Sequence, residues 1–463
     1  SKYISPERYY DIKSYYILKF VMKILLIDPY PNKNYRISKD QNGGYGTAND
    51  YGDSLLSKIL KFVVKGSVDF PPLYSVQVCG ELLSMGYDVK YKREENKFDQ
   101  YDLILIPSSI VCHESEVQKI REIVKINNKV IVIGPFAISN PKNYLEAGAS
   151  VLKGEPEMFF HKLVIDNKFL ENIPKIIENN NNYDLDELSY PGWEVIFKNY
   201  IPKMKFLGKG AAVNIFASKG CPYQCFYYCV YPLQQGRKLR AKSPQKVFDE
   251  MIYFNKKLNV SNFIFRDPVF SLNRKHTVEL CEKLIQSKIK FNICIETHLK
   301  NIDNDLAVML FKAGVKLIYV GIETADEDVK KNAHRSSEKN DLQIEKVNFL
   351  QKVGIDIKAM YIIGLPTDTE ETYMKTLSFS KKIASTYAQF SVFTPYPGTP
   401  AFDGYRDKIT TDKFEDFNQW KLVFKHENFD QKKIRQLLDF SYRDYYLRIN
   451  WIFKNFMKFF KLW

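Results

Sequence analysis

Apolar residues in this chain fall into short runs separated by stretches of helical spacing. VMKILLID (Val21–Asp28) is an apolar run and predicts a buried strand. Asp88–Lys92, Leu103–Pro107 and Lys129–Gly134 predict three further strands. Between them, Leu73–Met85, stopped by Gly86, and Glu114–Ile126 carry the spacing of helices with one buried face. Strand and helix in alternation predict a parallel, doubly wound, Rossmann-like sheet that closes near Leu163. The Gly/Asn-rich stretch NGGYGTANDYGD (Asn42–Asp53) is too long for a simple connector. Residues 166–206, Asn-rich with weak periodicity, read as an inter-domain linker.

A second alternating series follows. Val213–Ala217, Asn262–Phe265, Phe291–Glu296, Leu317–Gly321, Ile357–Ile363 and Gln389–Phe393 predict six strands. Ser243 and Pro244 form a helix start, a capping hydroxyl before a proline that needs no backbone donor. Gly314 is a helix stop. Each strand ends in polar, Gly or Pro residues, the end that carries the active site in α/β barrels. The expected division is an extension over residues 1–21, a Rossmann-like domain over 22–165, the linker over 166–206, a barrel over 207–405 and a helical region over 406–463.

At 463 residues the chain has room for domains with separate cores. Apolar and charged fractions of 45% and 26% exclude global disorder. A net charge of +14 raises the question of nucleic acid, but the lysines are spread along the whole chain and single out no specific nucleic-acid site. Anionic lipid or a phosphorylated substrate is the sharper reading of that charge. No run is apolar and long enough to span a bilayer, and no export signal is read, since Lys19 and Lys23 interrupt Tyr15–Ile27. The seven cysteines do not form a disulfide framework, and Cys79, Cys112, Cys281 and Cys294 stand in apolar contexts as free thiols. A cytoplasmic setting is expected.

The most chemically specific segment is GCPYQCFYYC, which sets Cys221, Cys225 and Cys229 on one loop after the Val213–Ala217 strand. Three thiolates suit an iron–sulfur cubane that keeps one iron open. Structural zinc prefers four ligands in close pairs, and no fourth Cys or His lies near. Steps of four would also align the three on a helical stripe, against which Pro222 and the Lys-Gly pair before Cys221 argue.

Over roughly residues 207–400 the chain resembles the radical S-adenosylmethionine (radical SAM) enzymes. The resemblance rests on GCPYQCFYYCVYPLQQGRKLR, YVGIET, IIGLPTDTEE and TPYPGTPAF. It implies a partial (β/α)6 barrel, a 4Fe-4S cluster on Cys221, Cys225 and Cys229, and S-adenosylmethionine as cofactor. Reductive cleavage of that cofactor at the open iron would give a 5′-deoxyadenosyl radical, with electrons from a reductant such as flavodoxin or ferredoxin. The family pattern has two residues before the third cysteine, whereas here stand Phe226, Tyr227 and Tyr228; a four-residue step reaches about 14 Å, enough for an extra residue to bulge. Glu296 and Glu323 at strand ends become candidate contacts to the cofactor's ribose or ammonium, or else solvated carboxylates. Asp267 and Asn273 in FRDPVFSLN match a tract that touches cofactor or substrate. Gly364 and Pro366 would let backbone approach the adenine, or form a plain turn.

The first unit resembles the cobalamin-binding domain that precedes the barrel in one subgroup. The carrying features are VMKILLID, the turn IGPFA with Gly134 and Pro135, and KGEPE with Gly154 and Glu155. Those four residues are the candidate cobalamin contacts; Pro135 stands where the family has a second glycine. The Asp-x-His-x-x-Gly tract is missing after Asp28, which leaves His113 as a loop histidine or an axial ligand. The aromatic, basic tail Lys432–Trp463 suits either a membrane interface or packing on the barrel. Together these imply a cobalamin-dependent radical SAM enzyme that methylates an unactivated carbon of a small-molecule or lipid-like substrate. Cyclisation or rearrangement without methyl transfer, and a non-catalytic sensor, are the alternatives. No side chain is singled out as catalytic.

Overall fold

The computed structural model describes residues 21–460. The expected extension over residues 1–21 lies, apart from Val21, outside the described residues, as do the last three residues of the tail. The first unit contains β1 (Lys23–Ile27), α1 (Leu55–Ser67), α2 (Leu73–Ser84), β2 (Asp88–Lys92) and β3 (Leu103–Pro107). It continues with α3 (His113–Ile123), β4 (Val130–Ile133), the short α4 (Pro135–Ser139), β5 (Ser150–Lys153) and β6 (Ile176–Glu178). The sheet order is β2-β1-β3-β4-β5-β6, and every pairing is parallel. Such an order reverses direction between β1 and β3, where α/β sheets form a crevice.

The stretch 166–206 is not a loose connector. β6 lies within it and extends the sheet, and Trp193 is fully buried with its indole N–H donating to Asn214 O at 3.1 Å. β5 (SVLK) and β6 (IIE) are short and each ends in a charged residue, so no continuous apolar run marks them in the sequence.

The second unit begins with β7 (Ala212–Ile215), the short α5 (Tyr231–Gln235), α6 (Pro244–Leu258), β8 (Asn262–Phe265) and α7 (Arg274–Ser287). Next come β9 (Asn292–Thr297), α8 (Asn304–Lys312), β10 (Val315–Glu323), α9 (Asn340–Val353), β11 (Asp356–Ile363), α10 (Glu370–Ile383) and β12 (Tyr387–Val392). The six strands pair in sequence order, all parallel, with β7 and β12 as free edges, so the barrel is partial. Along β10, Ile318, Val320 and Ile322 are fully buried against the helices, whereas Tyr319 and Glu323 alternate with them and line the lumen.

Two C-terminal helices, α11 (Gln431–Tyr446) and α12 (Ile449–Phe460), close the fold. Tyr442 and Tyr446 bond to both N–H and C=O of Phe390 and Ala388 on the free edge of β12, at 2.7–3.0 Å. The tail therefore packs on the barrel over this segment. Beyond it, Trp451 donates to Thr386 O at 2.9 Å, while Ile449 and Phe453 are exposed. No helix of the described residues is long and apolar enough to cross a membrane.

Candidate active site at the cysteine loop

β7 delivers the cysteine loop, and the end of β8 anchors it. Asp267, fully buried, accepts from Ala217 N at 3.0 Å, Ser218 Oγ at 2.6 Å and Ser218 N. Burial pushes its carboxyl up to about 6, against those hydrogen bonds. Asp267, expected to touch cofactor or substrate, thus has its oxygens engaged in holding the loop's first turn. Gly220 follows with φ +87°, and a β-carbon there would stand 2.1 Å from Lys238 O. Only glycine lets the two arms of the loop approach this closely.

Cys221, Cys225 and Cys229 line one cavity of about 110 Å³. Among the described residues no three ligating side chains converge on a single ion. Three thiols lining one cavity are the donor set of an iron–sulfur cluster, so the residues present fit one. The extra residue is taken up as a turn rather than a bulge: Gln224–Tyr227 form a 3-10 turn, and Cys229 N donates to Cys225 O at 3.0 Å. Burial raises the thiols of both Cys221 and Cys229, and the positive charge of bound metal would stabilise their thiolate form.

Glu296 and Glu323 line the same cavity as the thiols. Burial lifts the Glu296 carboxyl to about 7, partly offset by Arg266 and Lys358. Arg335, which the sequence reading missed, stands 3.9 Å from Cys225 Sγ, 3.6 Å from Glu323 and 2.6 Å from Gly321 O. It lies in a loop with no periodicity, so only its three-dimensional neighbours reveal it. Asn273 is not brought to the site: it is exposed and caps α7 by accepting from His276 N at 3.2 Å. Gly364 and Pro366 also lie away from the cavity lining. Gly364 adopts φ +74°, donates to Asp368 Oδ2 at 3.1 Å and faces Ile434 of α11, as a plain turn would.

The first unit meets the cysteine loop through Glu155, which pairs with Lys219 at 2.7 Å and with Arg240. Gly134 and Gly154, at adjacent strand ends, share φ +106°, the conformation that lets another group approach the backbone closely. In this conformation Tyr74 stands over Gly134, its hydroxyl donating to Ser108 O at 2.8 Å, and Asn179 covers Gly154. Pro135 opens α4 and packs on Gly44 of the Gly-rich loop. Tyr45 of that loop is fully buried between the units, bonded to Pro397 O at 2.8 Å. Tyr74 and residues 42–46 narrow the strand-end crevice to a cavity of about 50 Å³ lined by Gly43, Gly44, Tyr74, Glu157 and Lys219, and a corrin needs them to move aside. His113 is enclosed by Phe136, Tyr144 and Phe414 at 4.9–5.4 Å, with Nε2 bonded to Asn143 at 2.9 Å and Nδ1 buried without a hydrogen-bond partner.

Comparison with known proteins agrees with this architecture. Residues 215–380 match the radical SAM superfamily. Bacteriochlorophyllide d C-12(1)-methyltransferase of Chlorobaculum tepidum is 23% identical, covering 82% of this chain and 83% of that protein. The radical SAM methyltransferase TsrM of Kitasatospora setae, solved with cobalamin and a 4Fe-4S cluster, superposes with a TM-score of 0.60 at 15% identity, covering 84% of this chain and 75% of that one. The cobalamin-dependent radical enzyme OxsB, solved with aqua-cobalamin and S-adenosylmethionine, gives a TM-score of 0.63 at 13% identity, covering 94% and 67%. With its cysteine loop just past the end of the first barrel strand and a Rossmann-like domain ahead of the barrel, the chain carries a radical SAM domain over residues 215–380.

Proposed function

We propose that the protein is a cobalamin-dependent radical SAM methyltransferase acting on an unactivated carbon. The observation that carries this reading is the shared cavity of Cys221, Cys225 and Cys229, which opens past Glu296 and Glu323 into the barrel lumen. The names of the relatives support methyl transfer, and their bound groups support a cluster, S-adenosylmethionine and cobalamin as the cofactors.

When bound, a cluster and S-adenosylmethionine would supply one-electron chemistry that no side chain provides. The chain's own residues do the rest. The three thiolates would hold the cluster, and Arg335 offers a guanidinium beside Cys225 for a carboxylate. Glu296 and Glu323 offer acceptors for an ammonium or for ribose hydroxyls. Tyr228 and Tyr231 line the passage between the cysteines and the lumen. The Glu296 carboxyl, held near neutrality by burial, can keep or release a proton at its Oε atoms. A reductant must deliver electrons from outside.

The test is anaerobic reconstitution with iron and sulfide, followed by reduction in the presence of S-adenosylmethionine. Release of 5′-deoxyadenosine, strengthened by added cobalamin, is the expected result. A full cluster without any cleavage would overturn the reading. Cys229→Ser should lower bound iron by at least half, while Cys294→Ala, away from the cysteine loop, should leave it unchanged.

A further inference from the structure

The barrel lumen is stratified, and the strata differ in chemistry. At the cysteines lies the 110 Å³ cavity already described. Below it a cavity of about 180 Å³ runs down the lumen and meets a third, of about 80 Å³, through a wall shared by Gln41, Tyr319, Lys358 and Gln389. This lowest cavity is mostly apolar, with Arg36, Asn49 and Lys358 on the wall nearest the junction. Leu317 and Tyr387 line it from the strands, Phe206 from the connecting segment, and Leu60, Val63 and Val64 from α1, which covers the open side of the barrel.

The layer where the two cavities join carries unbalanced positive charge. Lys358 lies on β11 two residues below Met360, which reaches the cysteine cavity, a drop of about 6.6 Å. Its ammonium sits 4.6 Å from the centre of the Tyr319 ring, and among the described residues no carboxylate comes within ion-pair distance of it. Arg36 and Arg266 lie alongside and share one carboxylate, Asp40. The Arg266 side chain is only 10% exposed, yet its Nε has no hydrogen-bond partner. Glu296 faces the same cavity from above, beyond ion-pair reach of Lys358. Three cations and one directly paired carboxylate in a half-dry lumen leave a demand for an anion that the chain does not meet.

We propose that this layer binds the anionic group of the substrate and the cavity beneath it a short apolar group, so that the substrate is an amphipathic carboxylate or phosphate. Calling this ligand the substrate rests on the methyl-transfer reading; its binding does not. The lower cavity is smaller than the roughly 150 Å³ that accommodates benzene in an engineered core, which limits the apolar part to a short chain or branched group. The remainder of the molecule would extend upward, placing its reacting carbon in the upper lumen, toward Glu296.

The proposal is tested by calorimetric titration of the full-length, cluster-reconstituted protein with sodium butanoate and with propyl phosphate, whose three-carbon tails match the size of the lower cavity. Propanol serves as the uncharged control and acetate as the control without a tail. At least one of the two anions should bind at least tenfold more tightly than propanol, and acetate should not bind. Lys358→Met should weaken that anion at least tenfold and leave propanol unchanged, with Lys358→Arg restoring most of the loss. Val64→Trp, which fills the lower cavity from α1, should weaken both anion and alcohol; thermal unfolding near the parent temperature shows that the variant is folded. No binding of either anion, equal binding of propanol, or affinity indifferent to Lys358 would overturn the proposal. Because no S-adenosylmethionine is present, these outcomes are independent of 5′-deoxyadenosine release, and each reading can fail alone.

Discussion

A single lysine plugs the switch point of the first sheet. Lys39, fully buried, places its ammonium 2.8 Å from Asp28, 2.7 Å from Glu116 and 3.1 Å from Pro107 O. Asp28 also accepts from Tyr91, and Glu116 from Tyr144 at 2.6 Å, so every member of the cluster depends on the others. Lys39→Met would leave two carboxylates without their cation, and a loss of about 3–5 kcal/mol in urea unfolding is expected. His113 makes a prediction in pH. Burial pushes it down to about 4, outweighing the pull of Glu415 and Glu114. Between its ordinary value of 6.5 and about 4 the unfolded chain binds a proton there that the folded chain does not, so stability falls on acidification. The expected loss is about 2 kcal/mol between about pH 7.5 and pH 5. His113→Phe should remove that part of the slope.

At the scale of elements, the open barrel has to protect two strand edges. The free edge of β12 is met by α11 rather than by another strand: Tyr442 and Tyr446 act through their hydroxyls as donor and acceptor to the backbone. An uncovered edge invites pairing with another chain. Replacing both residues by Phe leaves four backbone groups orphaned, and a loss of at least 2 kcal/mol is expected, with more aggregation visible in light scattering. Helix α2 shows a second device. A β-carbon on Gly80 would stand 2.0 Å from Tyr190 O, so the connecting segment lies directly on the helix. Gly80→Ala, helix-favouring in isolation, should destabilise here by about 2 kcal/mol or more, because backbone would have to shift.

For the molecule as a whole, the decisive relation is between the two units. Glu155 ties the first sheet to the cysteine loop, while Tyr45 and Tyr74 narrow the crevice from which a corrin would face the barrel. Uptake of cobalamin should therefore be slow and limited by movement of this loop. Tyr45→Ala, which removes the buried ring and its bond to Pro397, should speed uptake several-fold, followed by corrin absorbance. Equal rates in the two proteins would show that the loop does not control entry.

The alternation of apolar runs and helical spacing was enough to read both α/β units, because a parallel strand buried on both faces needs a continuous apolar run. The cysteine spacing was equally legible, since metal ligation requires particular atoms on one loop. Other assignments needed the folded chain. Asp267 and Asn273 sit in a matching tract, yet one holds backbone amides and the other caps a helix, and sequence does not say which way an oxygen points. Arg335, Arg266 and Lys358 come from separate segments and acquire meaning only where the barrel brings them to one lumen. What the sequence determined alone was the kind of fold and the chemistry of one loop, both written in local pattern. Which charges remain unpaired, and which crevice is narrowed, depended on contacts between residues far apart in the chain, and those the tertiary structure decided.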